Sequence, residues 1–223
     1  MNKNYFNLLF KYIFIISILP GCALENYNSP TFSTAFSLIS DRFTSQDKEI
    51  ESSLIDEIPY ASLLISFGSN NKSLLILEAI KNEKNIWTSS DSINIIELDG
   101  RVIRTIGLPN DLYSIDRPKL KFLELLKQEK YSYTSYYSFR NPSLNSLKVD
   151  VSSKVIGNET IEILGKKMSL IRIEESLYGE LINWRVKNLF WIDPETGFVW
   201  QSRQYISPNL PFIDIQVTKK PAD

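Results

Sequence analysis

The chain has 223 residues, of which 43% are hydrophobic and 23% are charged, and its formal net charge is −1 at pH 7. Charges of both signs are interspersed, which disfavours a nucleic-acid-binding surface because phosphate binding needs a concentrated positive field. The sequence contains no histidine, which excludes Ser-His-Asp and Cys-His catalysis and every histidine-ligated zinc or iron site. We predict no catalytic residue, no metal site and no cofactor.

The first 21 residues have the organisation of a bacterial signal peptide. Lys3 and Lys11 precede an apolar core at 12–19, which is much shorter than the roughly 20 residues of a membrane-spanning helix. Cys22 follows in the run Leu-Pro-Gly-Cys, which resembles a lipobox. The pattern predicts removal of residues 1–21 and acylation of Cys22, so that lipid holds the mature chain at a membrane surface. The alternative is an ordinary buried cysteine behind an uncleaved anchor.

The residues after the cysteine bear on location and domain organisation. Ala23 stands where an aspartate would resemble an inner-membrane retention signal, so we expect a lipid anchor in the outer membrane and a domain on its periplasmic face. Residues 22–31 are polar and predict a tether. Residues 32–223 predict a single domain without disulfides, since Cys22 is the only cysteine.

The first predicted element is an amphipathic helix over about 31–44. Phe32, Phe36, Ile39 and Phe43 recur at helical spacing with polar residues between them. We interpret this stripe as a core-packing face, with a partner-binding face as the alternative.

Most of the remaining chain has the pattern of β-strands. Segments rich in Ile, Leu and Val alternate with turn residues, and Asp99-Gly100 is typical of a type I′ hairpin. Further turns are predicted at Gly157-Asn158, at Gly165-Lys166 and over 193–197, and a second helix is predicted over 118–128. The predicted strands are 60–67, 74–80, 93–98, 101–108, 131–139, 149–156, 160–164, 168–174, 184–192, 198–206 and 212–217.

These elements predict the fold class. About ten closely spaced strands with only two helices favour a mainly β structure, a single antiparallel barrel-like or half-barrel domain with one or two short helices.

Several motifs, taken in order behind the lipobox, resemble the YjbF/GfcB family of lipoproteins. The resemblance covers nearly the whole mature chain, and it implies an outer-membrane lipoprotein of group 4 capsule and exopolysaccharide operons. It further implies a mostly β, barrel-like domain with polysaccharide and polysaccharide-export proteins as partners, and it implies no catalytic activity. The motifs are IPYAS at 58–62, WTSSD at 87–91, DGRVIRT at 99–105, FWIDPETG at 190–197, QSRQ at 201–204, PF at 211–212 and KKP at 219–221.

Tryptophans are the first candidates for ligand contact. Trp87, Trp191 and Trp200 could stack on the apolar faces of sugar rings, although burial in a core is the simpler interpretation of such large side chains.

The strand around Trp200 supplies the second group of candidates. Alternation places Trp200 and Ser202 on one face and Gln201, Arg203 and Tyr205 on the other. The second face could offer an arginine, an amide and a phenol to an anionic glycan. A solvated strand face is the alternative.

Carboxylates give no sign of glycosidase activity. Glu174 and Glu175 are adjacent on a predicted strand and therefore point to opposite faces, while Asp193 and Glu195 share a turn. A half-barrel of this size could instead enclose a lipid, so an acyl-chain-binding lipoprotein remains the alternative function.

The anchor can be tested directly. Mass spectrometry of the mature N-terminus should find an acylated Cys22, and Cys22→Ser should release the domain from the membrane without unfolding it. An uncleaved Met1, or an unmodified Cys22 in the soluble fraction, would contradict the prediction.

Overall fold

The computed structural model describes residues 55–69, 72–90, 92–128 and 130–222. They form a single antiparallel sheet and a short helix, α1 (Phe122–Leu126). None of the helices in these ranges is long and apolar enough to cross a membrane. The strands are β1 (Ser62–Phe67), β2 (Ser73–Lys81), β3 (Lys84–Thr88), β4 (Asn94–Leu98), β5 (Arg101–Ile106), β6 (Leu112–Asp116), β7 (Lys130–Phe139), β8 (Leu144–Ile163), β9 (Lys166–Gly179), β10 (Trp184–Ile192), β11 (Val199–Gln204) and β12 (Ile213–Lys219).

The twelve strands curl into a nearly closed barrel. Their order is β5-β4-β3-β2-β1-β12-β11-β10-β9-β8-β7-β6, so β5 and β6 are the two edges. A short loop joins these edges, and the backbone N–H of Leu112 donates to Oγ1 of Thr105 across them at 2.9 Å. The prediction of a mainly β, barrel-like antiparallel fold is confirmed.

Side chains from alternate positions fill the interior in two apolar clusters. The larger cluster includes Trp87 and Phe139, which are 1% and 2% exposed. The smaller cluster lies under α1, where the rings of Phe122 and Phe190 are 4.9 Å apart. The helix therefore packs against residues of β9, β10 and β11.

A buried ion pair connects β5 to β9 through the interior. Nη2 of Arg101 donates to Oε1 of Glu175 at 2.6 Å, and Oγ of Ser153 donates to the same oxygen at 3.1 Å. The guanidinium also lies 3.7 Å from the ring centroid of Phe122. Burial alone would lower the pKa of Arg101, but the surrounding acidic groups, with Glu175 first among them, together outweigh burial and raise that pKa. The guanidinium therefore stays protonated in the interior.

Two of the predicted turns are explained by their local geometry. Asp99 and Gly100 both have positive φ, 53° and 73°, which confirms the predicted type I′ hairpin. A Cβ on Gly100 would lie 2.1 Å from Val199. In the turn after β10, Asp193 Oδ1 accepts the backbone N–H groups of Glu195 and Thr196. These bonds lower the pKa of Asp193 and account for the motif without a catalytic role.

Three details of the predicted element pattern are wrong. Gly157-Asn158 is no turn, because β8 continues through it with a shift of register between Val155 and Gly157. The strands β3 and β6 were not predicted, and α1 is shorter than the predicted helix over 118–128. The predicted signal peptide, tether and helix over 31–44 lie outside the described residues.

The interior ion pair generates a stability prediction. Glu175→Gln should lower the free energy of unfolding by up to about 3–5 kcal/mol, because it leaves Arg101 buried with only the partly exposed Asp99, at 3.5 Å, as a counter-charge. The matched control is Glu174→Gln on the outer face, whose partner Lys187 has a side chain 64% exposed; its cost should be about 1 kcal/mol or less. Urea denaturation measures both, and equal losses would contradict the assignment.

A second prediction concerns the hairpin between β4 and β5. Gly100→Ala should cost about 1–2 kcal/mol for its positive φ and a further 1–3 kcal/mol or so for the clash with Val199. Gly165→Ala is the control, since its φ is 76° but nothing lies within 4 Å of its added Cβ. Thermal denaturation should show the larger loss for Gly100→Ala, and matching losses would mean that Val199 moves aside freely.

Candidate functional site

A broad groove lies on the outer face of the sheet, across β7 to β11. Its volume is about 1070 Å³. Most of its lining side chains alternate with buried core residues, so they project away from the interior. The lining residues are Ser132, Tyr133, Thr134, Asp150, Val151, Ser152, Glu174, Ser176, Leu177, Tyr178, Arg185, Val186, Lys187, Leu189, Arg203 and Tyr205.

Short side chains between longer ones create the concavity. Ser132, Ser152 and Ser176 are paired across three neighbouring strands, and we call them the serine row. Adjacent members are about 4.8 Å apart in the direction across the strands. The flanking rows carry longer side chains, so the serine row forms the floor and lines it with hydroxyl groups.

The first flanking row contains the aromatic wall. Thr134, Asp150, Tyr178 and Arg185 are paired in that order across β7, β8, β9 and β10. The guanidinium carbon of Arg185 lies 3.9 Å from the ring centroid of Tyr178. Oγ1 of Thr134 donates to Asp150 at 2.9 Å. This wall offers a stacked arginine and tyrosine beside the serine row.

The second flanking row contains two charged residues, each in an ion pair, and one apolar residue between them. Glu174 pairs across the strands with Leu189, and Leu189 pairs with Arg203. Arg203 makes two bonds to the carboxylate of Asp214, at 2.7 and 2.8 Å, and these bonds raise the pKa of Arg203. Its guanidinium is thus already engaged on one side.

Two of the predicted ligand-binding residues line the groove. Arg203 and Tyr205 do so, and Tyr205 also packs edge-on against Phe212 at 5.8 Å. Gln201 lies next along the outer face, outside this lining, with its side chain 3.4 Å from that of Gln216.

The three tryptophans lie away from the groove. Trp87 is 1% exposed and its indole N–H donates to Oε2 of Glu97 at 3.1 Å, while Trp191 is 8% exposed. Trp200 is the extra residue of a bulge between Val199 and Gln201, so strict alternation fails there, and its half-buried ring contacts Phe198. None of the three rings lines the groove with Arg203, although Trp191 is paired with Gln201 two residues further along the outer face.

The interior beside Trp87 holds little space. A cavity of about 10 Å³ lies beside Trp87, Glu97 and Trp200, which is about the volume that one water molecule needs. Burial raises the pKa of Glu97 there. An acyl chain in this region would have to displace Trp87 or its core neighbours.

The groove carboxylates are widely spaced along the strands. Asp150 is paired opposite Tyr178, four residues along β9 from Glu174, so the backbone positions of the two residues are about 13 Å apart along the strands. Glycosidases need roughly 5–9.5 Å. Across the described ranges, no cluster of three or more carboxylate or thiol side chains is arranged to hold a metal ion.

Sequence reasoning missed Arg185, Tyr178 and the serine row. Each looks like an ordinary solvated residue on its own strand. The signal becomes visible only when the register of four strands is known, because it lies across the sheet and not along the chain.

The comparisons with known proteins agree with this architecture. The family described as "Group 4 capsule polysaccharide lipoprotein gfcB, YjbF" matches residues 30–218. The uncharacterized lipoprotein GfcB of Escherichia coli K12 is 25% identical over 189 residues, which cover 81% of this chain and 85% of the relative. The crystal structure of the hypothetical lipoprotein YmcC, also from Escherichia coli K12, has a TM-score of 0.72 at 22% identity and covers 85% of this chain and 96% of that one. The chain therefore belongs to the YjbF family of group 4 capsule polysaccharide lipoproteins.

Proposed function

We propose that this protein is a non-catalytic accessory factor in the secretion or assembly of a capsule or exopolysaccharide, and that the outer groove is its polysaccharide-contacting surface. The observation that carries the proposal is the serine row between an aromatic wall and a row of ion pairs, in a chain of this family. Hydroxyl groups and tyrosines suit sugar hydroxyls and sugar faces.

The shape of the groove suits a polymer better than a small molecule. It is a broad, open surface that mixes polar and apolar side chains, whereas small-molecule sites enclose most of their ligand in a cavity. We therefore expect weak contacts to each sugar, repeated along the chain.

A lipid anchor at Cys22 would keep the groove at a membrane surface. The lipobox supports acylation, and Ala23 favours the outer membrane with the domain on its periplasmic face. Polysaccharide-export proteins are the partners that such a location supports.

The separation of the groove carboxylates supports a non-catalytic role. Asp150 and Glu174 lie on opposite sides of the serine row, and each carboxylate is already engaged, that of Asp150 by Thr134 and that of Glu174 by Lys187. We expect the purified protein to leave the length of the polymer unchanged, as measured by size-exclusion chromatography. A shortened polymer would overturn this part of the proposal.

The packing of the interior disfavours the alternative of an acyl-chain carrier. Trp87 and the Arg101–Glu175 pair occupy the barrel where a carrier would hold its lipid. We therefore assign the ligand to the outer groove and not to the interior.

A groove-filling substitution tests the proposal. Deletion of the gene should reduce surface polysaccharide, and the wild-type gene should restore it. Ser176→Trp should fail to restore it, because the indole would fill the floor of the groove without entering the core. Ser169→Trp is the matched control, since Ser169 is exposed on the same strand outside the groove lining. Quantification of cell-surface polysaccharide measures the outcome.

Two results would count against this function. Full restoration of surface polysaccharide by Ser176→Trp would show that the groove is not needed for this role. Unchanged polysaccharide with mislocalised lipoproteins in the deletion strain would favour the lipid-binding alternative.

A further inference from the structure

Arg185 differs from the other charged side chains of the groove. Arg203 is paired with Asp214, Lys187 lies 2.8 Å from Glu174, and Asp150 has the ammonium of Lys148 at 3.5 Å. Within the part of the chain that the structure describes, Arg185 has no carboxylate at ion-pair distance. It is therefore the cation of the groove that is available to an external anion.

The guanidinium of Arg185 is held in place without an ion pair. It stacks on the ring of Tyr178, and its Nε donates to Oδ1 of Asn183 at 3.2 Å. Asn183 itself is held in the left-handed region, with φ 51°, at the turn into β10. These contacts leave both terminal nitrogens of Arg185 free of described carboxylate partners and restrict the side chain, which reduces the entropy lost on binding.

The chemistry of this group selects a planar oxyanion. A guanidinium presents parallel N–H donors that match a carboxylate in two-point geometry. The row of Arg185 is two residues along the strands from the serine row, or about 6.6 Å, so a group projecting from a polymer on the groove floor reaches it. Asp150 lies in the same row as Arg185. Its carboxylate already has the ammonium of Lys148 as a counter-charge and accepts a hydrogen bond from Thr134.

We propose that Arg185, stacked on Tyr178, binds the carboxylate of an acidic polysaccharide whose backbone lies along the serine row. This inference rests on the proposed function and narrows its ligand to a polymer that carries carboxylate groups, such as uronic acids.

Binding of oligogalacturonate to the full lipidated chain in detergent tests the inference, measured by calorimetry at constant ionic strength. The methyl ester of the same oligomer is the neutral probe. Arg185→Gln should weaken binding of the acid about tenfold, because it removes a charge-assisted pair. The affinity of Arg185→Lys for the acid should lie between those of the wild type and Arg185→Gln, since lysine keeps the positive charge but cannot make the two-point hydrogen bond of a guanidinium. The ester should bind weakly and be insensitive to Arg185.

Arg140→Gln is the matched control. Arg140 is also an exposed arginine stacked on a tyrosine, with its guanidinium carbon 4.2 Å from the ring of Tyr113, but it lies outside the groove. Its replacement should leave the affinity for oligogalacturonate unchanged, which separates the site from a general loss of positive charge.

The outcomes distinguish this inference from the proposed function. Equal affinity of wild type and Arg185→Gln for the acid, or no binding of the acid by wild type, overturns the carboxylate site. The role in polysaccharide secretion is judged separately, by whether the deletion strain loses surface polysaccharide. A strain that carries Arg185→Gln should lose polysaccharide while the melting temperature of the variant stays at the wild-type value.

Discussion

The structure depends on the side-chain contacts that connect the edge strand β5 to β9 and β11 through the interior of the barrel. Antiparallel hydrogen bonds hold β5 on one side only, through β4. Arg101 and Gln204 supply the second side through the interior: Arg101 reaches Glu175 on β9, and the side chain of Gln204 bonds both Gly100 O and Val102 N, each at 3.0 Å. Burying polar groups inside a barrel carries a desolvation penalty. Here these groups connect an edge strand that lacks a continuous series of backbone hydrogen bonds to β6.

The same layer sets the register of the groove. Glu175 is fixed inward by Arg101, so its neighbours Glu174 and Ser176 must project outward. A slip of one residue in β9 would exchange the two faces, burying Glu174 and exposing Glu175. Ser153 on β8 reinforces this choice by donating to Glu175 from the adjacent strand. The outer surface is thus positioned by contacts on the inner one.

Sequence patterns predicted what is local. Asp99-Gly100 specified its hairpin because only residues tolerant of positive φ fit that turn, and the opposite orientations of Glu174 and Glu175 follow from strand alternation alone. The prediction of a turn at Gly157-Asn158 was wrong because a glycine with positive φ occurs at shifts of register within strands as well as in turns. Here Gly157, with φ 140°, lies at such a shift within β8. Of the groove, Arg203 and Tyr205 were predicted from alternation on one strand, whereas Arg185 was not, because its significance depends on which residues face it from β8 and β9.

Two arginines with the same aromatic contact illustrate the difference between the interior and the groove. Arg101 lies over Phe122 at 3.7 Å and Arg185 over Tyr178 at 3.9 Å. Inside the barrel a charge without a partner would be prohibitively costly, so Arg101 is matched by Glu175. On the wet outer face solvent stabilises the charge, so Arg185 can remain without a carboxylate partner. The proposed polysaccharide would supply the carboxylate that Arg185 lacks.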